Sequence, residues 1–199
     1  MPPVVIIFGI PVLIAGVIAL CYYLFYVRNT TGKGAAKRTE RFLRRFAATR
    51  RFRVLSNLRF FHKDKEYVIE NMLIGSFGIL LVHTLGGRGS YYGSTDGKEW
   101  QRVLEKEKER AVFANPIKAQ EEAIGGLRGI FAQHKVYSVP IEQVVAMTDK
   151  SRKTALYISN SQILLPGKLK PLLHKTKYEN DAGVDIDRVI AAIEQHKIG

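Results

Sequence analysis

Two apolar runs rich in strand-forming residues dominate the middle of the chain: VIENMLIG from Val68 to Gly75 and GILLVHTL from Gly78 to Leu85. Each is about a strand long. The break at Ser76-Phe77-Gly78, with Gly75 before it, supplies turn chemistry, so the stretch from Tyr67 to Gly93 predicts a β-hairpin. Side chains alternate along a strand, which puts Val82 on one face and His83 and Leu85 on the other. The second run empties into Gly86-Gly87-Arg88-Gly89, a connection that exposes backbone. A site in this chain belongs where that strand meets the glycines, and positions 70, 83 and 85 decide its chemistry.

The flanking sequence supplies the other layers of an α/β fold. Phe42, Leu43, Phe46 and Ala47 share one side of a predicted helix over Ala35–Thr49, while Lys37, Arg38, Arg41 and Arg45 occupy the rest. Phe52–Phe61 predicts a first strand, and His62 to Lys65 a polar turn into the hairpin. Ser90–Trp100 offers short edge-like segments around Asp96-Gly97, and the charged run Glu105–Arg110 predicts a solvated excursion. Asn115 before Pro116 predicts a capped helix with Ile117, Ile124, Leu127 and Phe131 on its buried stripe. A strand over Val139–Met147 follows, and Asp185 caps a last amphipathic helix carrying Ile186, Val189, Ile190 and Ile193. Helix, three strands, helix, strand and helix in that order predict a sandwich rather than an all-parallel sheet.

Ahead of these elements, Pro2–Val27 carries no charge. As a helix its apolar part would rise about 36 Å, enough for the hydrocarbon core of a bilayer. Tyr22, Tyr23 and Tyr26 stand where an interfacial belt would, and neither a basic leader nor a small-residue cleavage site marks a signal peptide. The run predicts a retained single-pass transmembrane helix. Ten bases against the one acid Glu40 follow between Arg28 and Arg53, which predicts that the C-terminal domain is cytoplasmic. That cluster makes up much of a formal net charge of +13 and suits anionic lipid or nucleic acid alike. The single cysteine, Cys21, lies in the apolar run and excludes an internal disulfide.

Several residues now line up in an order that resembles the NERD (nuclease-related) domain, a relative of the PD-(D/E)xK nucleases. They are Glu40 on the first helix, Ile69-Glu70-Asn71 in the second strand, Phe77-Gly78 at the turn, Gly89–Gly93, Trp100, Asn115-Pro116, Gln120 and Val144-Val145. The resemblance implies a restriction-endonuclease-like αβββαβ sandwich preceded by one transmembrane helix. It divides the chain into an anchor at 1–27, a basic linker at 28–37, a nuclease-fold domain at 38–175 and a C-terminal extension at 176–199.

It also implies a catalytic set of Glu40, Glu70 and His83, with Glu40 and Glu70 as metal ligands and Arg41, Arg88 and Gln120 as substrate contacts. The family's third-strand Glu-x-Lys is His83-Thr84-Leu85 here. An imidazole is a poor ligand for Mg²⁺, and leucine cannot orient a water. The expectation is a catalytically degenerate module that binds nucleic acid or another anionic partner and needs no cofactor, with Mg²⁺ required only if activity remains. A residually active DNA nuclease and a membrane-surface protein-interaction scaffold are the alternatives. By residue type alone, His62, His134 and Gln120 belong on the surface, and His83 is either a hydrogen-bonded core histidine or part of the site.

Overall fold

The computed structural model describes residues 12–23, 32–104, 109–149 and 154–198. Residues 12–23 form an exposed helix, α1. Among the described residues no helix is long and apolar enough to cross a membrane. The rest of the uncharged run expected to span one lies outside the described residues.

Helix α2 (Gly32–Ala48) starts earlier than its apolar stripe predicts, so part of the expected basic linker is helical. It buries Ala35, Thr39, Leu43, Phe46 and Ala47, at the spacing that keeps one face of a helix inward. Arg41, Arg44 and Arg45 remain on its exposed side.

The main sheet has the order β1-β2-β3-β7-β9. Strands β1 (Arg53–His62), β2 (Lys65–Gly75) and β3 (Gly78–Leu85) form an antiparallel meander. β7 (Ile141–Met147) lies parallel to β3, and the two-residue β9 (Ile163–Leu164) lies parallel to β7. Alternation divides β3 between two cores. Leu80 and Val82 pack with Leu43, Phe46 and Ala47 of α2, while Ile79 and Leu81 pack with Leu127, Ile130 and Phe131 of α3 (Pro116–Gln133). The hairpin is placed as the sequence predicts, and the sheet is covered on both faces.

Its turn depends on one glycine. Gly78 has φ of 120°, and a Cβ there would lie 2.3 Å from the carbonyl oxygen of Pro140, which accepts the Ile79 N–H at 2.8 Å. Gly78→Ala should therefore destabilise the fold by about 2–3 kcal/mol, read as a lower denaturant midpoint at unchanged m-value.

The expected αβββαβ order gains strands. Between β3 and α3 stand β4 (Gly89–Gly93), β5 (Glu99–Leu104) and β6 (Glu109–Ala114), which form a second sheet of order β6-β5-β4-β8 with β8 (Thr154–Leu156). Glu109 and Arg110, expected in a solvated excursion, are strand residues, and 105–108 lie outside the described residues. The second sheet is anchored by Trp100, fully buried with Leu85, Tyr91, Ile117 and Met147.

Asn115 caps α3 as expected: its Oδ1 accepts the Ile117 N–H at 3.0 Å. Its Nδ2 also donates to the carbonyls of Thr95 and Gly97, tying the helix start to the β4–β5 turn. Beyond a short helix α4 (Leu169–Leu173), α5 (Ile186–Glu194) is capped by Asp185, which accepts the Arg188 N–H at 3.0 Å. Val189, Ala192 and Ile193 of α5 enter the same core as α3. The chain then pairs with the outer edge of β1: Phe60 bridges Lys197, and the Phe61 N–H donates to the His196 carbonyl at 3.1 Å.

Candidate functional site

The β2–β3 ladder runs from Gly75↔Gly78 to Asn71↔Val82 and stops. Glu70 and His83 are the next residue outward on each strand. Across from Glu70 on the other side, β1 bends at Asn57, whose φ is 51°. Where the strands part, the Thr84 N–H donates to Glu70 Oε2 at 3.2 Å. The carboxylate thus replaces the lost strand partner. The same oxygen lies 3.4 Å from His83 Nδ1, and Glu70 Oε1 accepts from Asn71 Nδ2 at 3.1 Å. Asn71 is fixed in turn by Ser56 Oγ, which donates to its Oδ1 at 3.1 Å. A carboxylate 18% exposed in an apolar strand is costly without partners, and here it has three.

His83 keeps 35% of its side chain exposed, yet desolvation outweighs the pull of Glu70 and holds its pKa below the ordinary histidine value of 6.5. The ring is neutral at pH 7, and its Nδ1 meets the carboxylate as a dipole rather than as an ion pair. His62, expected on the surface, is buried, and burial together with Lys63 and His196 lowers its pKa as well. As pH falls below about 6.5 the unfolded chain takes up these protons before the folded one, so stability is full above that pH and declines below it. Melting temperature should drop between pH 7.5 and 5.5, and His83→Gln should flatten that drop. An unaltered slope in the variant would count against a neutral His83.

The other expected site residues separate. Glu40 forms an i,i+4 ion pair with Arg44 at 2.9 Å on α2. Among the described residues no three His, Cys, Asp or Glu side chains gather as a metal-holding group, so Glu40, Glu70 and His83 do not form one. Arg41 is exposed and its Nε donates to the Lys37 carbonyl at 3.4 Å. Arg88 is half-buried in the glycine loop, whose Gly86 and Gly87 carbonyls accept from Tyr91 Oη at 3.1 and 3.2 Å. Gln120, expected to be exposed, is only 6% so. Its Oε1, Gln143 Oε1 and Thr84 Oγ1 are buried without a hydrogen-bond partner. Of these, Thr84 and Gln143 carry no sequence signal of a site, because an uncharged polar residue beside His83 or Glu142 in an otherwise apolar strand marks no chemistry of its own.

Leu85, which the resemblance sets where a lysine is expected, is 5% exposed and packs in the cluster around Tyr91 and Trp100. Mg²⁺ takes near-octahedral oxygen ligation and is usually held through one or two carboxylates. Here one carboxylate has both oxygens engaged, the second is bound to an arginine, and the third position is an imidazole. The residues present do not fit Mg²⁺, and no metal-dependent step is assigned to them.

No curated protein and no solved structure matches the chain. The family model described as Nuclease-related domain, NERD, matches residues 31–148. That span takes in α2, the meander, the second sheet's hairpin, α3 and β7, more than half of the sequence. With Glu70 at the strand fork and Asn115 at the helix cap inside it, the chain belongs to the NERD, nuclease-related domain family.

Proposed function

We propose that this protein is a membrane-anchored, catalytically degenerate nuclease-fold module that binds nucleic acid at the cytoplasmic face. The observation that carries the reading is the third strand. His83 leans on Glu70 and Leu85 is packed into the core, so the strand offers neither a second acid nor a cation to the place where a nuclease would hold its metal and water. Binding is supported by the exposed bases of α2, which suit phosphate as three or more separate contacts. The anchor is supported by the uncharged run from Pro2 to Val27 and the bases that follow it.

The full chain incubated with plasmid DNA and Mg²⁺ or Mn²⁺ should retard the DNA and leave it uncut. Cleavage that disappears in both Glu40→Ala and Glu70→Ala would overturn the degenerate reading. The full chain should also partition with membranes, and its C-terminal domain should resist protease added outside sealed right-side-out vesicles. Digestion there would place the domain on the other side.

A further inference from the structure

We propose that His134 and His196 form a two-imidazole site for a divalent transition-metal ion of the zinc, nickel and copper class. The two Nε2 atoms are 3.1 Å apart, with the ring planes at 85°. Two metal–nitrogen bonds of about 2.0–2.1 Å to atoms that far apart subtend about 95–102°, between octahedral and tetrahedral values. That separation serves a hydrogen bond between the two rings as well as it serves two bonds to one ion. Imidazole nitrogen suits these borderline ions and leaves Mg²⁺ and Ca²⁺ unbound.

Both histidines are held by their backbones. His134 closes α3, its N–H bonded to the Ile130 carbonyl at 3.1 Å, and the chain turns away at Lys135 with φ of 54°. His196 follows α5, its N–H bonded to the Ile193 carbonyl at 3.0 Å and its carbonyl accepting from Phe61. The rings meet because α3 and α5 share one core. Each side chain is half-buried.

His62 stands at the same end of the molecule but outside the pair. Its Nε2 packs against the α3 backbone, where a Cβ on Gly129 would lie 2.2 Å away. Lys197, next to His196, is neutralised by Glu194 at 3.2 Å. The site joins the family domain to the segment that follows it, since His134 lies within residues 31–148 and His196 beyond them. A bound ion would pin the end of α5 to the end of α3.

The test uses the full chain in detergent carrying His83→Gln, which removes the other partly exposed imidazole beside a carboxylate. Calorimetric titration with zinc chloride or nickel chloride should show one equivalent bound, and magnesium chloride should give no binding heat. His134→Gln and His196→Gln should each weaken zinc at least about tenfold, while His174→Gln, away from the pair, should not. As a check that needs no substitution at the pair, zinc should protect His134 and His196 together from carbethoxylation by diethyl pyrocarbonate, read peptide by peptide. Absence of zinc binding, affinity unmoved in either pair variant, or modification unaffected by zinc would each overturn the site and leave a plain imidazole–imidazole hydrogen bond.

Discussion

Raising salt from 50 to 200 mM should weaken binding of the full chain to a short DNA duplex about 40-fold. Arg41 and Arg45 on α2 and Arg88 in the glycine loop would supply three phosphate contacts, each carrying about 0.9 log unit per tenfold change in salt. Arg44 is left out of that count because Glu40 already holds it at 2.9 Å. The pair therefore predicts a gain. Glu40→Gln releases the guanidinium and removes the only acid between Arg28 and Arg53, so binding at 50 mM should tighten and the loss across the same salt range should grow to about 150-fold. Fluorescence anisotropy at four salt concentrations separates the outcomes: a flat dependence, or a Glu40→Gln slope equal to that of the native chain, would count against phosphate binding by α2.

Leu85→Lys should be among the most destabilising single changes at the site, lowering stability by about 3–5 kcal/mol and the melting temperature by about 10 °C. From the sequence, His83→Glu with Leu85→Lys restores the family's third-strand pattern. In the fold, Leu85 lies among Tyr91, Trp100, Ile117, Val145 and Met147, none of which offers a carboxylate to an ammonium group. A lysine there either gives up its proton or forces the cluster open. The double variant should gain no Mg²⁺-dependent cleavage, since a lysine at position 85 enters this apolar cluster rather than the space beside Glu70. A double variant that melts like the native chain and cuts DNA would show that Leu85 had merely filled a lysine's place.

The hairpin was legible because its apolar runs are long and bounded by glycine, and both helix caps because Asn115-Pro116 and Asp185 act locally through their own side chains. Of the second sheet, only the segments around Asp96-Gly97 that became β4 and the start of β5 were legible. β5 and β6 are short, half-exposed and charged, so no alternation marks them, and β8 and β9 exist through pairings of three and two residues with distant strands. The site was legible in part. Residue types and order marked Glu70 and His83, but the Thr84 N–H that fixes the carboxylate is backbone and has no signature in side-chain chemistry. His62 and Gln120 were assigned outward on polarity, whereas their burial is decided by where α3 lies, and Gly129 leaves that helix open to the His62 ring.

The bridge between Phe60 and Lys197 joins the two most distant parts of the main sheet's sequence. The β1–β2–β3 meander closes through neighbouring residues, but the outer edge of β1 waits for a segment nearly the whole domain away, and loop closure over that distance comes before any contact rewards it. The hydrogen bonds from Phe61 to His196 and from Ile198 to Arg59 close the longest loop in the main sheet, and hydrogen exchange should find them forming late and opening early. Until they form, β1 presents a row of unpaired backbone groups to whatever strand comes near. Even in the folded chain the bridge covers only the end of β1 near Phe60, so the rest of that edge stays available to another strand.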